Sequence, residues 1–145
     1  MDPLTLQASL DALSAVASYV KEAARAAGLD ADAAYRLRLA VDEIATNIVV
    51  HGYEETGGSG DITVSASVTA GAVTVVLEDR GVAFDPRAHA GPSQEELARP
   101  LVERDEGGLG IYLALQGVDE FRYERVGEVN RNILTVRRAG SSGGR

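Results

Sequence analysis

Residues 42–53 read Asp42-Glu43-Ile44-Ala45-Thr46-Asn47-Ile48-Val49-Val50-His51-Gly52-Tyr53. Leu37, Ala40, Val41, Ile44, Ile48 and Val49 recur at helical spacing, so the stretch is predicted to be the later part of an amphipathic helix. Asp30 or Asp32 caps its start, it runs to about Val50, and Gly52 ends it. Glu43, Asn47 and His51 are spaced four apart and form one stripe, rising ~6 Å per step beside the apolar side. A carboxylate, an amide and an imidazole in that position cost free energy unless something binds them. An amide oxygen is a hard ligand suited to Mg²⁺, and a carboxylate one turn earlier can take a proton from an attacking hydroxyl or water. The plainer alternative is a helix with one polar edge, in which Asn47 makes a capping or helix–helix hydrogen bond. On this segment alone it is the simpler reading.

Upstream, Leu4, Leu6 and Ala8 alternate with polar residues as a short strand does. From Leu10 the period changes: Leu10, Leu13, Val16, Ala17, Val20, Ala23 and Ala24 mark a helix face, with Ser9 or Asp11 as cap and Gly28 as stop. Downstream, Gly57-Gly58-Ser59-Gly60 is a turn. Ile62, Val64, Ala66 and Val68 then alternate as a strand, Ala70-Gly71 turns, and Val73–Leu77 returns. Residues 80–106 break every periodicity; a loop this long is a functional lid or disordered, with room for a short helix over 93–98. Gly107-Gly108-Leu109-Gly110 opens a third helix from Ile111 to Gln116, and Phe121–Val126 with Ile133–Arg138 form a closing hairpin around Gly127. One domain over 1–139 and a linker-like tail over 140–145 are expected.

Composition prunes the chemistry. With 145 residues there is room for one proper core. The absence of cysteine excludes disulfides, Cys-ligated zinc and thiol catalysis, and two histidines, His51 and His89, cannot make a three-histidine zinc site. Lys21 is the single lysine and adjoins no glycine loop, so any phosphate must be held without a lysine clamp. A net charge of −8 argues against a nucleic-acid binder. Residues 122–145 nevertheless hold six basic and two acidic side chains, which reads either as a docking surface or as a solvated edge strand. No window approaches a membrane span and no signal peptide is visible, so a cytoplasmic protein is expected.

Two more segments carry chemistry. Glu78-Asp79-Arg80-Gly81-Val82-Ala83-Phe84-Asp85-Pro86 leaves the strand ending at Leu77. A carboxylate at a strand exit followed by glycine can receive the exocyclic amine of a base at close approach, although ordinary Asp-x-Gly exits are common. Glycines at 107–110 leave backbone N–H groups free to face an anion at a helix start, or else serve as a hinge.

The order of these pieces resembles the GHKL-type ATPase fold of gyrase and the histidine kinases. Within it the chain looks like the small bacterial anti-sigma-factor serine kinases, over roughly Leu4 to Arg138, most specifically in Asp42-Glu43-x-x-Thr46-Asn47-x-x-x-His51-Gly52-Tyr53. The resemblance implies an α+β two-layer sandwich, a mixed, mostly antiparallel sheet with helices on one face. It implies ATP and Mg²⁺ as cofactors, Asn47 as the magnesium ligand and Glu43 as the general base. Asp79 would bond the adenine amino group, Gly81 would admit the base, and Gly108, Leu109 and Gly110 would bind phosphates. Residues 87–106 would be the lid, with Arg99 and Arg104 toward the γ-phosphate, and Thr135 would be the polar contact near adenine unless it is a plain strand threonine. Where such families read Asp-x-Gly-x-Gly, this chain has Ala83 at the second glycine, lining the nucleotide site in its place. Such proteins phosphorylate a small anti-anti-sigma partner and hold a sigma factor inactive, without touching DNA or membrane, and they dimerise, here through the first strand and helix. Ala83 and the acidic lid support an alternative, a non-catalytic nucleotide-sensing interaction module.

Overall fold

The computed structural model describes residues 1–53, 57–89 and 106–138. In chain order these form β1 (Leu4–Gln7), α1 (Leu10–Ala27), α2 (Ala31–Asn47), a π-helical turn (Ile48–Tyr53), β2 (Asp61–Val68) and β3 (Ala72–Asp79). A 3₁₀ turn (Pro86–His89), α3 (Glu106–Gly117), β4 (Glu120–Val126) and β5 (Val129–Arg137) follow. The strands make one sheet in the order β1-β2-β3-β5-β4. Every pairing is antiparallel, so the sheet is not mixed. The helices cover one face, giving the expected two-layer α+β architecture.

Strand alternation explains how that layer forms. On β3, Val73, Val75, Leu77 and Asp79 are buried, while Thr74, Val76 and Glu78 between them are only partly so. On β5, Asn130, Asn132, Leu134 and Val136 are buried at the same parity. The register sets Leu77 opposite Asn132 and Asp79 opposite Asn130. One face therefore runs from apolar to polar toward the end of the sheet where β3 leaves it. Leu77 and Leu134 meet Val16, Val20, Leu37, Val41 and Ile44 from α1 and α2, all under 2% exposed. Each such side chain contributes about 1.5–3 kcal/mol by leaving water.

The helix ends follow local chemistry. Gly28 closes α1 at φ 72°, a left-handed conformation that suits glycine, and the Gly28 and Leu29 N–H groups bond back to the last turn. Asp30, rather than Asp32, caps α2: its carboxylate accepts from the Ala33 N–H at 2.7 Å. Ser9 occupies the cap position of α1 without a side-chain cap bond. After Asn47 the helix does not run on regularly but widens into the π-helical turn, a feature that is frequent at functional sites. Arg36 ties α2 to the end of α3 through the Gly117 carbonyl at 2.7 Å. The expected helix over 93–98 and the tail over 140–145 lie outside the described residues.

The basic C-terminal segment is largely engaged within the fold. Arg131 pairs with Glu78 and Glu124, and Arg137 with Asp119 and Glu120. Arg125 donates to the Gly81 carbonyl and to Asn130, and Arg138 to the Ala70 carbonyl. Two of the described arginines of this segment, Arg131 and Arg137, are thus paired with carboxylates inside the fold.

The capping geometry separates two neighbouring aspartates. Asp30→Ala is expected to lower the unfolding free energy by about 1 kcal/mol in urea titration. Asp32→Ala, which removes only an exposed ion pair to Arg36, is expected to stay within about 0.5 kcal/mol of the parent.

Candidate functional site

A narrow cleft opens where α2, its π-helical turn, the exit of β3 and the start of β5 meet, lined by Ile44, Asn47, Asp79, Phe84, Asn130 and Asn132 among others. Its walls are apolar and its floor is polar because the polar end of the sheet face lies beneath the end of α2. Asn47, Asp79, Asn130 and Asn132 are the buried polar residues among those described. Two atoms on this floor have no hydrogen-bond partner among the described residues, the Asn47 Nδ2 and the Asn132 Oδ1. A buried orphan of that kind costs about 1–3 kcal/mol, a penalty that a bound polar group relieves.

Asp79 divides its two carboxylate oxygens between tasks. Oδ1 accepts from the Gly81 N–H at 2.8 Å and from the Asn130 amide at 2.9 Å. Oδ2 takes no hydrogen bond from a described residue and is left for a ligand. Burial raises the Asp79 pKa, opposed by the hydrogen bonds from Asn130 and Gly81 and by the charge of Arg125. Gly81 is required by close approach: a Cβ there would stand 2.6 Å from the Gly52 carbonyl oxygen. The Val82 N–H bonds that same carbonyl at 3.3 Å. Tyr53 staples the arrangement, donating to the Asp61 carbonyl at 3.0 Å and accepting from the Arg80 N–H at 2.8 Å.

Glu43 sits one turn before Asn47, half-buried. Burial chiefly, and the neighbouring Asp42 charge, raise its pKa. Its carboxylate lies against Gly110 so closely that a Cβ on that residue would be 1.9 Å from Oε1. Gly110 is the fifth residue of α3, which begins at Glu106. The first four N–H groups of a helix lack intrahelical partners, and those of Gly108 and Leu109 are among them. Gly110 contributes the space that Glu43 occupies.

Other expected positions are placed differently. Thr135 lies on the opposite face of the sheet, bonded to Thr74 at 3.0 Å, and does not reach the cleft. The β5 residues that reach it are Asn130 and Asn132, which the sequence reading missed by starting that strand at Ile133. The alternation of Asn130, Asn132, Leu134 and Val136 was the available signal. His51 leaves the Glu43–Asn47 stripe at the π-helical turn and stacks on Phe84, ring centroids 5.6 Å apart and 6° from parallel. Ala83 is exposed and takes no positive φ, so alanine there is unstrained. Arg99 and Arg104 lie outside the described residues, as does most of the proposed lid. Among the described residues no cluster of three or more His, Asp or Glu could hold a metal, and no helix is long and apolar enough to cross a membrane.

A family model described as the histidine kinase-like ATPase domain matches residues 6–138. The chain belongs to this histidine kinase-like ATPase domain family. The serine-protein kinase RsbW of Bacillus licheniformis is 33% identical over 87 residues, 58% of this chain and 53% of that protein. The chain thus spans about half the length of the curated relatives it matches. Among solved structures, the RsbU and RsbW domains of Rv1364c from Mycobacterium tuberculosis share the fold at TM-score 0.63 and 23% identity, over 94% of this chain and 32% of that one. A chain of the SiaB–SiaC complex from Pseudomonas aeruginosa does so at TM-score 0.55 and 13% identity, over 92% and 89%. These structural likenesses bear on fold alone.

Two outcomes follow for this histidine kinase-like ATPase domain. Because its pKa is raised in the fold, the contribution of Glu43 to stability is greatest at low pH and is lost as pH rises through the folded value. Glu43→Gln should therefore melt higher than the parent at pH 7, the gap closing toward pH ~4. Gly110→Ala should displace the Glu43 side chain, seen as a shift of the Glu43 carboxyl resonance and a loss of its raised pKa in NMR titration.

Proposed function

We propose that this domain is an ATP-dependent protein serine/threonine kinase of the anti-sigma regulatory type, which phosphorylates a small anti-anti-sigma protein and holds a sigma factor in alternation with it. The observation that carries this reading is the convergence in one cleft of the unpartnered Asn47 Nδ2 and Asn132 Oδ1 with the free Oδ2 of Asp79. Glu43 stands one turn away. The match to the serine-protein kinase RsbW supports it.

The residues present fit magnesium-bound ATP. Asn47 is buried on the cleft floor, and an amide oxygen is a hard ligand suited to an ion that keeps its waters and takes phosphate oxygens, as Mg²⁺ does. Asn47 would supply the one protein ligand through its amide oxygen. Bound Mg-ATP supplies the transferable phosphoryl group. Asp79 Oδ2 would accept from the adenine amino group, and the Asn132 amide would offer a further polar contact on the same floor. The N–H groups at the start of α3, including those of Gly108 and Leu109, would bind the phosphates, aided by the helix dipole. Arg99 and Arg104, outside the described residues, would supply the γ-phosphate contacts in place of a lysine clamp. Glu43 accepts the proton of the partner's serine or threonine hydroxyl. Its raised pKa makes it a stronger base than an ordinary glutamate. A cytoplasmic location and a homodimer through β1, an edge strand, and α1 belong to the same proposal.

Phosphotransfer from Mg-ATP to a small anti-anti-sigma protein tests it. Glu43→Gln should slow transfer about 10²–10⁴-fold while Mg-ATP affinity is retained. The parent rate should rise with pH through an inflection above the usual carboxylate range. Unchanged transfer in Glu43→Gln would falsify the base assignment. A second reading, a non-catalytic module, draws on the narrowness of the cleft, whose lining includes Phe84 and Pro86. Calorimetric titration showing no Mg-ATP binding up to millimolar concentrations would favour that module.

A further inference from the structure

We propose that Asn130 is a positioning residue for nucleotide choice, acting through Asp79 so that the cleft accepts a 6-amino purine and rejects a 6-oxo purine. The inference rests on the nucleotide reading above and extends it to a residue that does not touch the base.

Asn130 is 2% exposed and engaged on both sides of its amide. Its nitrogen donates to Asp79 Oδ1 at 2.9 Å, to the Gly81 carbonyl at 3.2 Å and to the Val82 carbonyl at 3.0 Å. Its oxygen accepts from the Tyr123 hydroxyl and from Arg125 Nη1, the latter at 3.0 Å. Arg125 Nη1 also donates to the Gly81 carbonyl at 3.0 Å. Turning the amide over would set oxygen against three acceptors and nitrogen against the donor-only Arg125 guanidinium, so the partners themselves decide its orientation. With two N–H groups shared among three acceptors, the amide has no donor left for a ligand. Its effect must pass through what it holds.

What it holds is the turn after β3. The β4–β5 hairpin, through Tyr123, Arg125 and Asn130, grips Asp79, Gly81 and Val82, some fifty residues away in sequence. The grip occupies Oδ1 of Asp79 from the sheet side and leaves Oδ2 as the atom available to the cleft. An ionised carboxylate only accepts hydrogen bonds. An amino group at purine position 6 satisfies it, whereas a carbonyl there brings lone pairs against it. Without Asn130, only the Gly81 N–H holds the carboxylate, which can then turn, and the neighbouring carbonyls shift with the loosened turn. Discrimination falls even where a nucleotide still binds.

Affinities of the full chain for Mg-ATP and for Mg-ITP, its 6-oxo counterpart, test this. The parent should prefer ATP, and Asn130→Ala should shrink that preference about fivefold or more, mostly through weaker ATP binding. The pair Tyr123→Phe with Arg125→Ala removes the donors behind Asn130 at less buried positions and should give a smaller loss in the same direction. A folded Asn130→Ala protein whose two affinities drop in parallel, with the preference within about twofold of the parent, overturns the inference and leaves a structural role. If Asn130→Ala does not fold, an unchanged preference in the paired variant overturns it. A parent that prefers ATP beside variants that keep the preference removes this inference alone. A parent that binds neither nucleotide removes the nucleotide reading as well.

Discussion

The antiparallel pairing of β3 with β5 sets Asp79 opposite Asn130, and the cleft depends on that match. Two buried polar side chains at adjacent positions would each be costly alone. Paired, they satisfy one another through Oδ1 and Nδ2 and extend the sheet's inner face beyond its last leucines. A one-residue slip would carry both to the other face and bring Glu78 and Arg131 inward. The apolar rows headed by Leu77 and Leu134 prevent that slip, because they too would leave the core. Ordinary hydrophobic burial therefore fixes the register, and the register assembles the polar floor.

Over this floor, α2 changes character. Its buried face through Leu37, Val41 and Ile44 anchors it to the sheet, and past Asn47 the backbone widens. The wider turn brings the Gly52 carbonyl to the β3 exit, where Gly81 leaves room for it and Val82 bonds it. The same turn sends His51 to Phe84. Tyr53 then closes the gap between β2 and β3. The site is thus bounded on two sides by segments whose geometry is set through one another's backbone atoms.

Glu43 and Gly110 show the same economy at the opposite wall. A carboxylate at this depth is disfavoured in its charged form, yet the start of α3 is where helix N–H groups face outward. A side chain at position 110 would deny the carboxylate its place. Three glycines among the first five residues of α3 make a poor helix start by propensity, and the close approach at Gly110 is a physical reason for one of them.

Much of this was legible in the sequence. Helical and alternating periodicity located the helices and strands; Gly28 and Asp30 marked boundaries that φ and capping bonds bear out. The spacing of Glu43 and Asn47, the Asp79–Gly81 exit and the glycines before Ile111 named residues that the fold brings to one region. Local chemistry determines these features, since periodicity, caps and turns act over a few residues. Why His51 departs from its stripe and which oxygen of Asp79 stays free were decided only by tertiary structure. Those answers depend on strand register and on contacts between segments some fifty residues apart, which no local pattern in the chain encodes.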